Sequence, residues 1–171
     1  RSSDPIALRG YSAKPIPYQH EDGSRYVYYV GNRGGYTNVY RKPVDSTWTP
    51  TGEAEVVIAG GRTQKFEAFH PLESRLDVSD GGRLAFVTKS GGKDVIHVFD
   101  LEGQRMVNSY EFENLVTLYS PSWGPEGRRL AFSGIDRSGF MDLYTYDFSA
   151  DRLTRLTKDI YDERDPAWHP T

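Results

Sequence analysis

Histidine is the residue of this chain with the widest range of possible chemistry, because imidazole can act as a general base or bind a metal near neutral pH. The chain has four histidines, His20, His70, His97 and His169, and they are widely spaced. His70 and His169 each stand between an aromatic residue and a proline, in FHP and WHP. His97 falls in a predicted strand at a position where two related segments carry tyrosine. We therefore expect His97 to be a packing residue, and we expect no metal site.

The sequence lacks the local motifs that position catalytic groups. No serine has glycine two residues away on both sides, as the nucleophile turn G-x-S-x-G requires. The only His-Glu pair, His20-Glu21, is followed by Asp22, Gly23 and Ser24 and does not match H-E-x-x-H. The phosphate-binding glycine motifs are also missing. We therefore expect that the chain is not an enzyme, with no catalytic residues and no cofactor.

Two charged stretches were considered as binding sites. In KDIYDERDP, residues 158–166, carboxylates alternate with Lys158 and Arg164 and do not follow the calcium-loop pattern, so a solvated loop is favoured. A basic stripe from Arg128 to Lys158 is interrupted by apolar residues, and strand alternation would send its members to opposite faces. The formal net charge is −3. We expect no nucleic-acid partner.

The composition predicts many short strands. Glycine occurs 17 times, proline 10 times and tyrosine 12 times, against 2 methionines and no cysteine. Frequent turn formers together with β-favouring aromatic residues are typical of an all-β chain. No apolar run approaches the roughly 20 residues that a membrane helix needs, so we expect no membrane insertion.

A repeat organises the chain. SDGGRLAFV at residues 79–87 matches PEGRRLAFS at residues 125–133 with an offset of 46, and EDGSRYVYY at residues 21–29 is a more diverged copy. Each copy leads through a glycine-rich turn into a second strand, NVYRKP, IHVFDL or LYTYDF, and then into a third. Tyr28 precedes Phe132 by 104 residues, as Val39 precedes Leu143. The spacing predicts the same register in the outer copies.

Repeated four-stranded units of this length are typical of β-propeller blades. We expect an all-β chain in which four-stranded antiparallel blades form one partial propeller domain over residues 1–171. The expected blades cover residues 16–66, 67–118 and 119–164, and residues 165–171 begin another. Because a propeller needs about 4 to 8 blades to close, the chain is expected to be a piece of a longer polypeptide. The other explanation is that another copy covers the exposed edges, so self-association through those edges is possible.

The second half of the chain resembles a known family, the TolB-type, WD40-like propeller repeats. The family pattern P-x-W-S-P-D-G-x-x-[IL]-A-F, then D-L-Y, then R-L-T, is matched from Pro121 to Phe132, at 142–144 and at 155–157. Gly124 and Glu126 depart from the pattern, which has serine and aspartate there. Residues 1–68 match it only loosely.

The resemblance implies a non-catalytic scaffold that binds a protein partner, in the periplasm or another extracytoplasmic compartment. Similar repeats also stand beside peptidase domains. The alternative implied function is therefore an accessory propeller that gates substrate for a peptidase domain outside this chain. The partner would be an envelope protein in the first case and the chain's own catalytic domain in the second.

The candidate binding residues lie on two loops that a propeller brings to the same side of its disc, residues 136–141 and 158–165. Aromatic and arginine side chains in such loops are enriched at protein interfaces. The expected partner-binding residues are Arg137, Phe140, Tyr161, Glu163 and Arg164. The alternative is that Phe140 and Tyr161 fold back onto their own blade.

Overall fold

The structure, a computed structural model, describes residues 12–33, 36–60, 68–69 and 75–169. Within these ranges the ordered elements are β-strands and turns, with no helix. Accordingly, no described segment forms a helix able to cross a membrane. The strands form three separate antiparallel sheets, which we call blades one, two and three.

Blade one consists of β1 (Ser12–Gln19), β2 (Arg25–Arg33), β3 (Tyr36–Val44) and β4 (Glu55–Ile58). Blade two consists of β5 (Ala68–Phe69), β6 (Asp77–Val78), β7 (Arg83–Ser90), β8 (Lys93–Asp100) and β9 (Arg105–Tyr110). Blade three consists of β10 (Leu115–Trp123), β11 (Arg129–Asp136), β12 (Met141–Asp147) and β13 (Arg152–Arg155).

Each blade is a meander in which consecutive strands pair antiparallel. In blade two, the short strands β5 and β6 pair with different parts of β7. Together they occupy the place that a single first strand has in the other two blades. The expected all-β fold of four-stranded antiparallel units is therefore confirmed. The first strand of blade three starts at Leu115, four residues ahead of the predicted boundary at 119. The described residues after β13 are not in a strand, and a further blade at 165–171 stays a prediction.

Glycine closes the first hairpin of every blade. The N–H groups of Gly23, Gly82 and Gly127 donate to carbonyls three residues earlier, at distances of 2.8–2.9 Å. Their φ angles are +85°, +71° and +60°, which favour glycine because a Cβ is disfavoured in this region. The turn role predicted for Gly127 is confirmed, and it recurs in the other two blades.

An aspartate closes the last hairpin of every blade. Oδ1 of Asp45 accepts hydrogen bonds from the N–H groups of residues 47 and 49. Asp100 does the same for residues 102 and 103, and Asp147 for residues 149 and 150. Such side-chain caps stabilise tight turns, and these turns lie at the same ends of the sheets as the glycine turns.

A pair of stacked rings joins the two central strands of each blade. Tyr29 stacks on Tyr40 with ring centroids 5.6 Å apart, and Phe132 stacks on Tyr144 at 5.9 Å. Both pairs are directly opposite in the strand register. The predicted equivalence of Tyr28 and Phe132 is therefore wrong by one residue. Tyr29 takes the place of Phe132, while Tyr28 points to the opposite face of the sheet.

The core lies between the blades. One cluster joins blades one and two and includes Tyr28, Val39, Leu84 and Phe86. A second cluster joins blades two and three; it contains Ala85, Val87, Ile96, Val98, Phe112, Leu115, Leu118, Trp123, Leu130, Phe132, Tyr144 and Tyr146. Each face of blade two thus packs against a neighbouring sheet. Burial of these faces is what holds successive blades together.

Candidate partner-binding face

The first loop of the candidate face is the hairpin between β11 and β12. Gly139, with φ +86°, donates its N–H to the carbonyl of Asp136 at 3.1 Å. The Asp136 carboxylate also accepts the N–H of Ser138 at 2.8 Å. This tight turn leaves Arg137 exposed and the ring of Phe140 44% exposed.

The second loop follows β13, and a partly buried ion pair fixes where it starts. Arg155 donates to Asp142, which is fully buried, and to Asp136 at 3.3 Å. Its Nε also donates to the carbonyl of Thr157 at 3.0 Å. Burial opposes the charge of Arg155, but the hydrogen bond to Asp142 together with the negative charges of Asp142 and Asp136 raises the pKa of the guanidinium. The loop therefore leaves the blade from a fixed, charged base.

The same loop is tied to the blade again at Glu163. Its N–H donates to the carbonyl of Met141 at 3.3 Å, and its carboxylate accepts the hydroxyl of Thr157 at 3.0 Å. Thr157 Oγ1 in turn accepts the N–H of Leu143 at 2.9 Å. The two loops are therefore neighbours, as the propeller arrangement predicted. Glu163 is half-buried and holds the loop in place, and its expected role as a contact residue stays a prediction.

Between Thr157 and Glu163 the loop carries apolar side chains into solvent. Ile160 is 77% exposed and Tyr161 is 71% exposed, and Leu156 just before the loop is 56% exposed. Tyr161 therefore does not fold back onto its blade. We call Phe140, Leu156, Ile160 and Tyr161, with Arg137 and Arg164, the loop face.

Sequence reasoning predicted four of these residues and missed Leu156 and Ile160. A signal for Ile160 was present, because KDIYDERDP is mostly charged and a solvated loop has no strand neighbours against which an isoleucine could pack. Leu156 belongs to the R-L-T motif at residues 155–157, which gives no sign of its exposure. Its exposure depends on β13 ending at Arg155.

The base of the second loop is also held to Arg75, which precedes β6, and to the first strand of blade three. Oδ1 of Asp165 accepts the Ser120 hydroxyl at 2.6 Å and pairs with the Arg75 guanidinium at 2.9 Å. Further along, Nε1 of Trp168 donates to the carbonyl of Ser122 at 2.9 Å. The guanidinium of Arg129 lies 5.4 Å from the centroid of the Trp168 ring. These contacts place Trp168 against the first strand of blade three.

The histidines do not form a metal site within the described ranges. There, no group of three or more His, Asp or Glu side chains is arranged to hold an ion. His169 is exposed, His20 and His97 are buried in different blades, and His70 lies outside the described residues.

Known proteins were compared with this chain in sequence and in structure. No protein-family model matches the chain. The Tol-Pal system protein TolB of Ruthia magnifica subsp. Calyptogena magnifica is 28% identical over 90 residues, which are 52% of this chain and 20% of that protein. The crystal structure of TolB from Acinetobacter baumannii superposes with a TM-score of 0.66 and 21% identity, over 90% of this chain and 34% of that one. A prolyl endopeptidase structure superposes with a TM-score of 0.50 and 17% identity, over 84% of this chain and 22% of that one.

The chain is therefore an arc of a β-propeller. Its repeats are TolB-like, as the motif in the second half of the sequence indicated. The chain spans between about a fifth and a third of the length of these proteins.

Proposed function

We propose that the chain is a non-catalytic scaffold that binds a protein partner through the loop face, in the periplasm or another extracytoplasmic compartment. The observation that carries the proposal is the exposure of Ile160 and Tyr161 on a loop that is itself firmly held. Large apolar side chains on a fixed loop lose little conformational freedom when a partner covers them.

The composition of the loop face supports a protein partner. Exposed aromatic rings next to arginines are the side chains most often found to dominate binding energy at protein interfaces. Arg137 lies three residues before Phe140 in the first loop, and Arg164 lies three residues after Tyr161 in the second. Acidic residues such as Asp159 and Asp162 alternate with these cations, so the face has no single sign of charge to attract nucleic acid.

The test is capture of partners from an envelope extract by the immobilised chain, followed by affinity measurements on the protein identified. Tyr161→Ala and Arg164→Ala are each expected to weaken binding by about 1–2 kcal/mol, or roughly 5- to 30-fold in Kd. Their melting temperatures should stay close to that of the parent chain. The control is Trp48→Ala, which removes another exposed ring, in the last turn of blade one. Unchanged binding in both loop variants would refute the proposal, as would an equal loss in the control.

A second candidate function is that of an accessory propeller that gates substrate for a peptidase domain. The prolyl endopeptidase that shares this fold is the observation that favours it. Under this proposal the loop face would contact a catalytic domain encoded in the same reading frame. A G-x-S-x-G or H-E-x-x-H motif elsewhere in that frame would favour the peptidase function, and its absence would favour the scaffold.

A further inference from the structure

A groove runs along the outer rim of the arc between blades two and three. Its volume is about 440 Å³, and it lies between the last strand of blade two, β9, and the last strand of blade three, β13. Leu153 lines one side, and Asn108 and Ser109 line the other. The groove is separate from the loop face, none of whose residues line it.

Aromatic rings form the wall of this groove. Tyr110 and Phe112 lie 5.2 Å and 5.3 Å from the ring of Tyr146, between centroids, and both are inclined steeply to it. Tyr146 is buried and its hydroxyl donates to the carboxylate of Asp151. Burial, reinforced by this hydrogen bond, raises the pKa of Tyr146, so the phenol stays neutral. The wall is therefore apolar, and Tyr110, which is only partly buried, is the ring that a cation can reach.

Every charged side chain that lines the groove is acidic. These are Glu111, Glu113 and Asp151. Glu111 and Glu113 are exposed and take part in no ion pair within the described part of the chain. Lys93 lies nearby, but its Nζ is directed at the backbone carbonyl of Glu113, 3.4 Å away. Carboxylates beside aromatic faces suit a guanidinium or ammonium group.

A second hollow lies on the opposite face of the same edge strand. Its volume is about 440 Å³, it shares Asn108, Ser109 and Glu111 with the groove, and it is lined by Val95 and His97 on the side of blade two that faces blade one. The second hollow also contains Met106 and Val107, the latter 47% exposed. Hollows on both faces of one edge strand fit an extended segment paired along that strand, because its consecutive side chains point to opposite faces.

We infer that this rim groove binds an extended protein segment that places an arginine or lysine side chain against Tyr110 and between the carboxylates of Glu111 and Glu113. The occupant follows from charge complementarity with the acidic lining and from the hollows on both faces of the edge strand β9. The inference concerns a different surface from the loop face and does not depend on the function proposed for that face.

The test uses two nonapeptides that differ at one position, arginine in the first and citrulline, its neutral isostere, in the second. Binding to the intact chain is followed by amide NMR shifts at low ionic strength. The arginine peptide is expected to shift residues 106–114 and to bind about three- to tenfold more tightly than the citrulline peptide. In Glu111→Gln/Glu113→Gln that preference should disappear, and Tyr110→Leu should reduce it while Tyr110→Phe retains it.

The matched control is Glu53→Gln/Glu126→Gln, which removes the same charge from two exposed glutamates outside the groove. It should keep the full preference for arginine. Three results would each overturn the inference: equal affinity for the two peptides, an equal loss in the control, or amide shifts located elsewhere on the chain. Both pairs of substitutions are at exposed positions, so melting temperatures near that of the parent will confirm folding.

Discussion

The imidazole of His97 stacks on the ring of Phe86, with centroids 5.0 Å apart and planes inclined by 29°. The ring is buried, and both of its nitrogens meet hydroxyl groups: Nδ1 lies 2.7 Å from Ser109 Oγ and Nε2 lies 2.8 Å from Thr88 Oγ1. His97 therefore takes the place of Tyr144 in the stacked pair of blade three. Its predicted role as a packing residue is confirmed.

Replacing His97 tests this role. His97→Phe keeps an aromatic ring for the stack but leaves the buried Thr88 hydroxyl without its imidazole partner. The free energy of unfolding should fall by about 1–3 kcal/mol, measured by urea denaturation. The same change at the exposed His169 should cost less than about 0.5 kcal/mol. Equal effects at the two positions would mean that the hydrogen bonds of His97 contribute nothing.

In the glycine turn of blade two, the neighbouring residues Gly81 and Gly82 differ in how well their positions would accommodate a side chain. At Gly82, φ is +71° and an added Cβ would lie 2.5 Å from the Tyr18 hydroxyl, whereas at Gly81 it would lie 4.0 Å from Ser79 Oγ. Gly82→Ala should therefore destabilise the chain by about 1–3 kcal/mol, and Gly81→Ala should leave its stability nearly unchanged. Thermal unfolding monitored by circular dichroism will distinguish them. A larger loss for Gly81→Ala would contradict the turn geometry.

The aspartates that cap the last hairpins predict a dependence of stability on pH. Hydrogen bonds lower the pKa of Asp45 and of Asp147 below the ordinary value of 3.8. The largest contribution comes from the hydroxyl of Thr47 for Asp45 and from the hydroxyl of Ser149 for Asp147. Because the unfolded chain binds these protons more readily, the contribution is present above pH 3.8 and is lost as the pH falls through the lowered values.

Melting temperatures measured between about pH 2 and pH 6 will test this linkage. Asp45→Asn/Asp147→Asn should lose stability less steeply on acidification than the parent chain. Asp80→Asn, at an exposed turn position, should follow the parent curve. If the melting temperatures of the double variant and the parent fall identically at low pH, the two caps do not contribute to the dependence of stability on pH.

Self-association through the open end of the arc is also testable. Leu156 donates its backbone N–H to the Leu143 carbonyl, and strand alternation places both side chains on the face of blade three turned away from blade two. Since Leu156 is 56% exposed, we expect concentration-dependent association in sedimentation velocity that Leu156→Asp reduces. Leu153→Asp, on the other face, should leave that association unchanged. A monomer at all concentrations would rule it out.

Local rules explain why much of the fold was readable from the sequence. The turn at Gly127 and the ring at Tyr144 depend on residues close in the chain, whose conformation follows from φ preferences and strand alternation. The same turns and strand alternation recur in each blade, so the sequence repeat predicted the order of the strands in each sheet. They also made the candidate loops predictable as neighbours, because a meander sends alternate turns to the same side.

The register of blade one was not readable in this way. The hairpin between the central strands is one residue longer in blade three than in blade one, so a constant offset puts Tyr28 in the place that Tyr29 occupies. A shift of one residue moves a side chain to the opposite face of a sheet. Strand pairing, and not sequence offset, therefore decides which tyrosine faces blade two.

The sequence by itself determined the repeated strands, their turns and the absence of a catalytic motif. Only the tertiary structure decided that Glu163 anchors its loop through Thr157 while Tyr161 stays in solvent, and that Tyr110 and Tyr146 meet in a groove between two blades. The physical reason is that these contacts join residues on different strands and blades. Their distances depend on how whole sheets pack, and local conformational preferences do not specify that packing.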